Sequence, residues 1–176
     1  MKTNKMFIGL GAAAVLGAAI VPMASYAASD SKNVNVALRV GSTISLSLTG
    51  TEISPSIFNS SSSTDLTTVA SVTTNSVTGY SLAASTSSAD GALVDSGISK
   101  SISYVGSSFA SEDEGWALSV GGTYKDITDG NKINGLASSS TSVDGDSTTI
   151  GYNFKTAGDT VSGEYSTTLT YTATTN

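Results

Sequence analysis

With 14 Asp and Glu, eight Lys and Arg, and no His or Cys, this chain has a short list of chemistries open to it. Without imidazole or thiol, Ser-His-Asp and Cys-His triads, imidazole and thiolate metal sites and thiol redox reactions are all excluded. Carboxylates and lysines remain. The densest acidic run, Glu112-Asp113-Glu114, could supply half of a glycosidase carboxylate pair. The one neighbouring sugar platform would be Trp116, which alternates in phase with Leu118 and Val120 and so reads as a core residue. The stretch 126–135 is the nearest approach to a calcium loop. A helix–loop–helix site needs oxygen ligands at its first, third and fifth positions and Gly at the sixth. With Gly130 as the sixth, Lys125 and Ile127 fall at the first and third, so the match fails. An irregular Ca²⁺ site built from Asp126, Asp129 and Asn131 is what remains, beside the simpler reading of a solvated turn. Asp144 and Asp146 read in the same two ways. For a lysine–amide cross-link, which needs a desolvated amine, Lys100 is in phase with Ile102 and Tyr104 and could point inward. Lys155 is out of phase with Phe154 and is expected to face water, and for both a snorkelling or rim lysine is the favoured reading. No catalytic residue, metal ligand or cofactor is assigned, and the chain reads as a non-enzyme.

The elements that must position these side chains begin after a leader. Lys2 and Lys5 form a basic start, residues 6–23 are apolar or small, and Ser25-Tyr26-Ala27 carries small residues at −3 and −1. This is the pattern of a signal peptide over 1–27, cleaved after Ala27. Residues 28–176 then form a single domain in a secreted, extracellular or cell-surface protein. Losing Lys2 and Lys5 leaves 8 − 2 = 6 basic residues against 14 acidic ones, a net charge of −8. That balance disfavours electrostatic binding of nucleic acid or anionic lipid. The last residues, Tyr171 to Asn176, carry no sorting motif, so attachment to the cell is expected to be non-covalent.

Ser, Thr and Gly dominate the rest, and apolar residues recur at every second position, the spacing of half-buried strands. Strands are expected over Ile44–Leu48, Leu66–Thr74, Tyr80–Ala84, Ile102–Tyr104, Trp116–Val120, Ile150–Phe154 and Tyr165–Ala173. Loops are expected over 52–65 and 85–99, and a turn-rich stretch over 121–146 with short pairing near Ile133–Leu136. No window has helical periodicity. The fold expected is all-β, an antiparallel immunoglobulin-like or jelly-roll-like β-sandwich. Leu46, Leu82, Trp116, Ile150, Tyr152, Phe154, Leu169 and Tyr171 are expected in its core.

The segment from Asn33 to Val40 is the most informative. Val34, Val36, Leu38 and Val40 alternate with Asn33, Asn35, Ala37 and Arg39, close to the new N-terminus. An alternating strand at a free end can complete a neighbour's sheet. Because the same phase runs on through Ile44, Leu46 and Leu48, pairing within its own domain as the first strand is favoured, with a bend or bulge at Gly41-Ser42 that makes it a strand pair or one strand that switches sheets.

Several short motifs resemble those of known proteins. Thr74-Asn75-Ser76-Val77-Thr78-Gly79-Tyr80-Ser81-Leu82 resembles the TNxxTGYxL hairpin of small secreted β-sandwich surface proteins of Gram-positive and related monoderm bacteria. Trp116-Ala117-Leu118 is similar to the W-x-L tripeptide of WxL-type cell-wall proteins. The ending Ser162–Ala173 resembles the last strand of pilin-like sandwiches. The second W-x-L motif of the WxL family is absent, since Trp116 is the single Trp. These resemblances imply a bacterial surface protein of structural or adhesive kind, with itself or other surface proteins as partner; the alternating Asn33, Val34, Val36, Leu38 and Val40 are then the candidate contact by strand exchange. The alternative they imply is a monomeric module for cell-wall or host glycan; it would need exposed aromatic rings, and Phe58, Tyr104, Phe109 and Tyr124 are the ones nearest to loops.

Overall fold

The computed structural model describes residues 30–57 and 63–176; the expected signal peptide and Phe58 lie outside them. The chain divides into two compact units, Met1–Leu38 and Arg39–Asn176. In the first, residues 30–38 belong to no helix or strand.

The second unit is a pair of antiparallel sheets, and period-2 alternation builds both. One sheet has five strands: β1 (Ile44–Leu48), β2 (Ser63–Thr74), β9 (Val143–Lys155), β6 (Gly115–Val120) and β7 (Thr123–Tyr124), in that order across the sheet. The other has β10 (Leu169–Thr175), β3 (Tyr80–Thr86) and β8 (Lys132–Ser139). A small hairpin of β4 (Leu93–Asp95) and β5 (Lys100–Ile102) and one 3-10 turn at Gly106–Ser108 complete the described elements. The core lies between the sheets: Ala70, Val72, Trp116, Leu118, Ile150 and Tyr152 from the first meet Tyr80, Leu82, Ala84, Ile133 and Leu136 from the second. The fold is thus the all-β sandwich that the alternation predicts.

Of the expected core residues, Leu82, Trp116, Ile150 and Tyr152 are buried, while Leu46, Phe154, Leu169 and Tyr171 pack against the cluster but stay partly open. Trp116 is held edge-to-face by Tyr104 at 4.9 Å and stacked on Phe154 at 6.2 Å between centroids. Its indole N–H donates to the Gly91 carbonyl at 3.0 Å, so the one polar atom of this buried ring is satisfied.

Several boundaries differ from expectation. β2 starts at Ser63 inside the expected loop 52–65, β4 lies in the expected loop 85–99, the strand expected over Ile102–Tyr104 runs as Lys100–Ile102, and the short pairing near Ile133–Leu136 is the eight-residue β8. Residues 33–40 form no strand, so the favoured role as first strand of the domain is corrected; β1 begins at Ile44. The last strand starts at Leu169, with Ser166 making only an isolated bridge to Val94. Asp144 and Asp146, expected in a turn, lie in β9, which begins at Val143 and runs beside β2 with a register shift opposite Val72 and Thr74.

The β2–β3 hairpin organises one end of the sandwich. Gly79 adopts φ +77°, and a Cβ there would stand 2.0 Å from the Ser139 carbonyl oxygen; only glycine fits both conditions. Asn75 accepts the Thr43 N–H at 2.7 Å and donates to the Gly41 carbonyl at 2.9 Å. Asn176 donates its N–H to the Gly79 carbonyl at 3.2 Å, and Thr78 donates its hydroxyl to the Asn176 carbonyl. The TNxxTGY segment therefore holds both the approach to β1 and the end of β10.

Leu118→Ala should destabilise the domain by about 2–5 kcal/mol through the cavity it leaves. Thr172→Ala, on an outward position of β10, should change stability by less than about 0.5 kcal/mol. Guanidinium unfolding of the two variants checks the assignment of inward and outward faces.

Candidate assembly surface

The groups singled out for chemistry are largely committed to holding loops. Asp126 accepts the Ser107 N–H at 2.7 Å, Asn131 donates its side-chain N–H to the Thr86 carbonyl at 2.6 Å, and Asp129 pairs with Lys132 at 3.5 Å. Asp126, Asp129 and Asn131 therefore each have a structural partner, and among the described residues no group of three or more acidic side chains is placed to hold a metal ion. Glu114 accepts the Thr160 hydroxyl, and Asp146 accepts that of Tyr80 at 2.7 Å. An open depression beside Tyr104 is bordered by Asp90 and Asp126. There the Ala92 N–H, followed by the Ser88 side chain, holds the Asp90 carboxyl below its ordinary range.

The lysines fit the favoured rim or snorkelling reading, but not the directions their phase suggests. Lys100 is exposed. Lys155 is half-buried, donates to the carbonyls of Glu112 at 2.6 Å and Phe109 at 3.3 Å, and sits 5.4 Å above the Phe109 ring. Phase misled here because Lys155 ends its strand, where its stem lies over the loop rather than projecting into solvent.

Of the candidate glycan-contact rings, Phe109 is buried and Tyr104 and Tyr124 are half-buried. Phe109 and Tyr124 pack on each other at 5.0 Å. Tyr104 donates its hydroxyl to the Lys125 carbonyl at 2.5 Å and turns its ring to Trp116. Trp116 and Leu118 of the W-x-L tripeptide point into the core, and Ala117 is buried on the opposite face of β6.

Phenols tie the two sheets together. Tyr80 on β3 bonds Asp146 on β9, and the hydroxyls of Tyr152 on β9 and Tyr171 on β10 lie 2.7 Å apart. Burial, reinforced by the Asp146 carboxylate, pushes the Tyr80 phenol up to about 12. Burial does the same for Tyr104, also to about 12, with the Asp126 charge adding to it. Burial and the Tyr152 hydroxyl raise Tyr171 as well.

What remains unused is the N-terminal alternation and the sheet edges. Val34, Val36, Leu38 and Val40 are 82%, 90%, 86% and 77% exposed, an apolar stripe of period 2 left in water. On the sandwich, β1 and β10 each terminate a sheet. Their inward residues, Ile44, Leu46 and Leu48 on β1 and Leu169, Tyr171 and Ala173 on β10, are only half-buried, and their outward residues are all Ser or Thr. Neither strand carries a charge, a proline or a bulge of the kind that normally blunts an edge. Sequence reasoning missed these two edges, because a strand's position in a sheet is set by long-range pairing that local alternation does not encode.

The chain matches no family model, no curated protein and no solved structure. No helix among the described residues is long and apolar enough to cross a membrane.

The raised phenols set a direction for pH dependence. A group whose folded pKa exceeds its unfolded value gives stability that is complete below the unfolded value, near 10, and lost as pH rises through the folded one, about 12 for Tyr80 and Tyr104. Unfolding free energy should therefore fall between about pH 10 and 12. Tyr80→Phe should reduce that slope, as followed by tyrosinate absorbance and denaturant midpoints across the range.

Proposed function

We propose that this chain is a secreted structural protein of a bacterial cell surface, and that residues 33–40 act as a strand donated to another subunit, making the protein a building block of a surface fibre. In this reading, residues 1–27 direct export and are removed, leaving a chain that starts at Ala28 with the alternating segment near its free end. The observation that carries it is the stripe of Val34, Val36, Leu38 and Val40, each at least 77% exposed, in a chain whose other alternating segments face the core.

Magnitudes support a folded receiver over a mutual folding event. Burying each of these side chains would contribute about 1.5–3 kcal/mol, and each new ladder hydrogen bond about 0.5–1.5 kcal/mol net. Ordering the backbone costs roughly 1–2 kcal/mol per residue. Gain and cost are of one order, so the segment gains most on an edge that is already ordered and loses nothing further by docking. The absence of Cys rules out a disulfide between subunits and leaves strand pairing as a means of durable contact. The glycan-binding alternative has less support, since Phe109 is buried and the faces of Tyr104 and Tyr124 are partly taken by neighbouring rings.

The chain from Ala28 to Asn176 should run as oligomers or filaments in size-exclusion chromatography and negative-stain microscopy. Deleting 28–40 should leave a folded monomer with an unchanged thermal transition, because the sandwich core contains none of those residues. Leu38→Asp should weaken assembly at least tenfold in critical concentration. A full-length chain that stays monomeric at high concentration would end the proposal.

A further inference from the structure

We infer that the receiving edge is β10, and that the donated strand comes from a second copy of this chain; the inference rests on the strand-donation reading and specifies its acceptor. Sheet edges compete for that role. β7 has only two residues, too few for a ladder with the donor. β8 is interrupted: its pairing with β3 shifts between Leu82 and Ala84, Gly135 sits at φ +68°, and Lys132 guards one end. β1 and β10 are uncharged and regular, but β1 offers five residues and β10 seven.

The faces match as well as the lengths. On β10, Leu169, Tyr171, Ala173 and Thr175 occupy four successive inward positions, all half-buried. The donor offers four apolar side chains at the same spacing, Val34, Val36, Leu38 and Val40. Laid beside β10, it would cover the open side of those half-buried positions. Its other face, Asn33, Asn35, Ala37 and Arg39, would join the outward row of Thr170, Thr172 and Thr174.

The β2–β3 hairpin favours a second copy as the source of the strand. Folding residues 33–40 back along β1 of their own domain would need a tight turn over Gly41, Ser42 and Thr43. The Thr43 N–H that would close such a turn is donated to Asn75, and the Gly41 carbonyl accepts from the same side chain. Asn75 thus anchors the approach to β1 at Gly41 and Thr43 and opposes such a turn.

A chain without cysteine permits a clean test by disulfide trapping. Ala37→Cys is prepared in one batch of the Ala28–Asn176 chain. Thr170→Cys, Thr172→Cys, Thr174→Cys, Ser45→Cys, Ser47→Cys and Asn134→Cys are prepared singly in a second, mass-tagged batch. Opposed positions on neighbouring strands have the Cα spacing a disulfide requires. After mixing, assembly and mild oxidation, we expect heterodimers of Ala37→Cys with one or two of the β10 variants, at least tenfold above those with Ser45→Cys, Ser47→Cys or Asn134→Cys. Preferential trapping on β1 or β8, or assembled material with no trapping on β10, would overturn β10 as acceptor and leave strand donation standing. A doubly substituted Ala37→Cys, Thr172→Cys chain that closes on itself as a monomer would overturn donation to a second copy. Absence of any assembly would overturn the underlying reading together with the inference.

Discussion

A β-strand edge carries unpaired backbone groups, and an alternating strand carries a face that water solvates poorly; each is the natural complement of the other. In this protein both are present in one chain. Residues 33–40 have the alternation of a strand but no sheet, while β1 and β10 have bare edges above half-buried apolar rows. The β2–β3 hairpin bonds residues next to both. Asn75 holds residues 41 and 43, and Thr78 and Gly79 hold Asn176, so one short turn governs both the path of the N-terminal segment and the end of β10.

The sandwich achieves order without covalent staples. Its core is made of side chains from both sheets around Trp116 and Tyr80, and phenol hydrogen bonds cross the gap at Tyr80–Asp146 and Tyr152–Tyr171. Buried threonines follow the same economy: Thr68 meets Thr49 and Gly50, and Thr74 donates to the Thr43 carbonyl at 2.7 Å. Hydroxyls placed on an inward face are thereby satisfied by the neighbouring strand, which is how so Ser- and Thr-rich a chain builds an interior. Ser119 and Asn153 do this on the outer face of the larger sheet, where Asn153 bonds Ser119 at 2.9 Å.

Much of this fold was legible in the amino-acid order. Trp116, Leu118 and Val120, and Ile150, Tyr152 and Phe154, lie on the faces their parity predicts, because alternation is a local consequence of the pleat. Boundaries were less legible. Tyr165 to Thr168 continues the alternation of the last strand but runs as a loop whose Ser166 bridges β4, a choice made by tertiary contact. Lys155 and Lys100 exchanged roles because their surroundings come from distant loops. The segment 33–40 alternates like a strand but forms none, and the bonds by which Asn75 holds residues 41 and 43 span 32 and 34 residues, beyond the reach of local pattern. The open edges had no local signature at all.

Hydrogen exchange at the backbone amides of residues 33–40 tests the central claim most directly, since a ladder protects N–H groups and a solvated extension does not. In the assembled protein those amides should exchange at least a hundredfold more slowly than in the diluted monomer, with the amides of β10 gaining protection in parallel. Exchange at the unprotected rate in material that is demonstrably assembled would contradict the account, because the subunits would then be held together by some other surface.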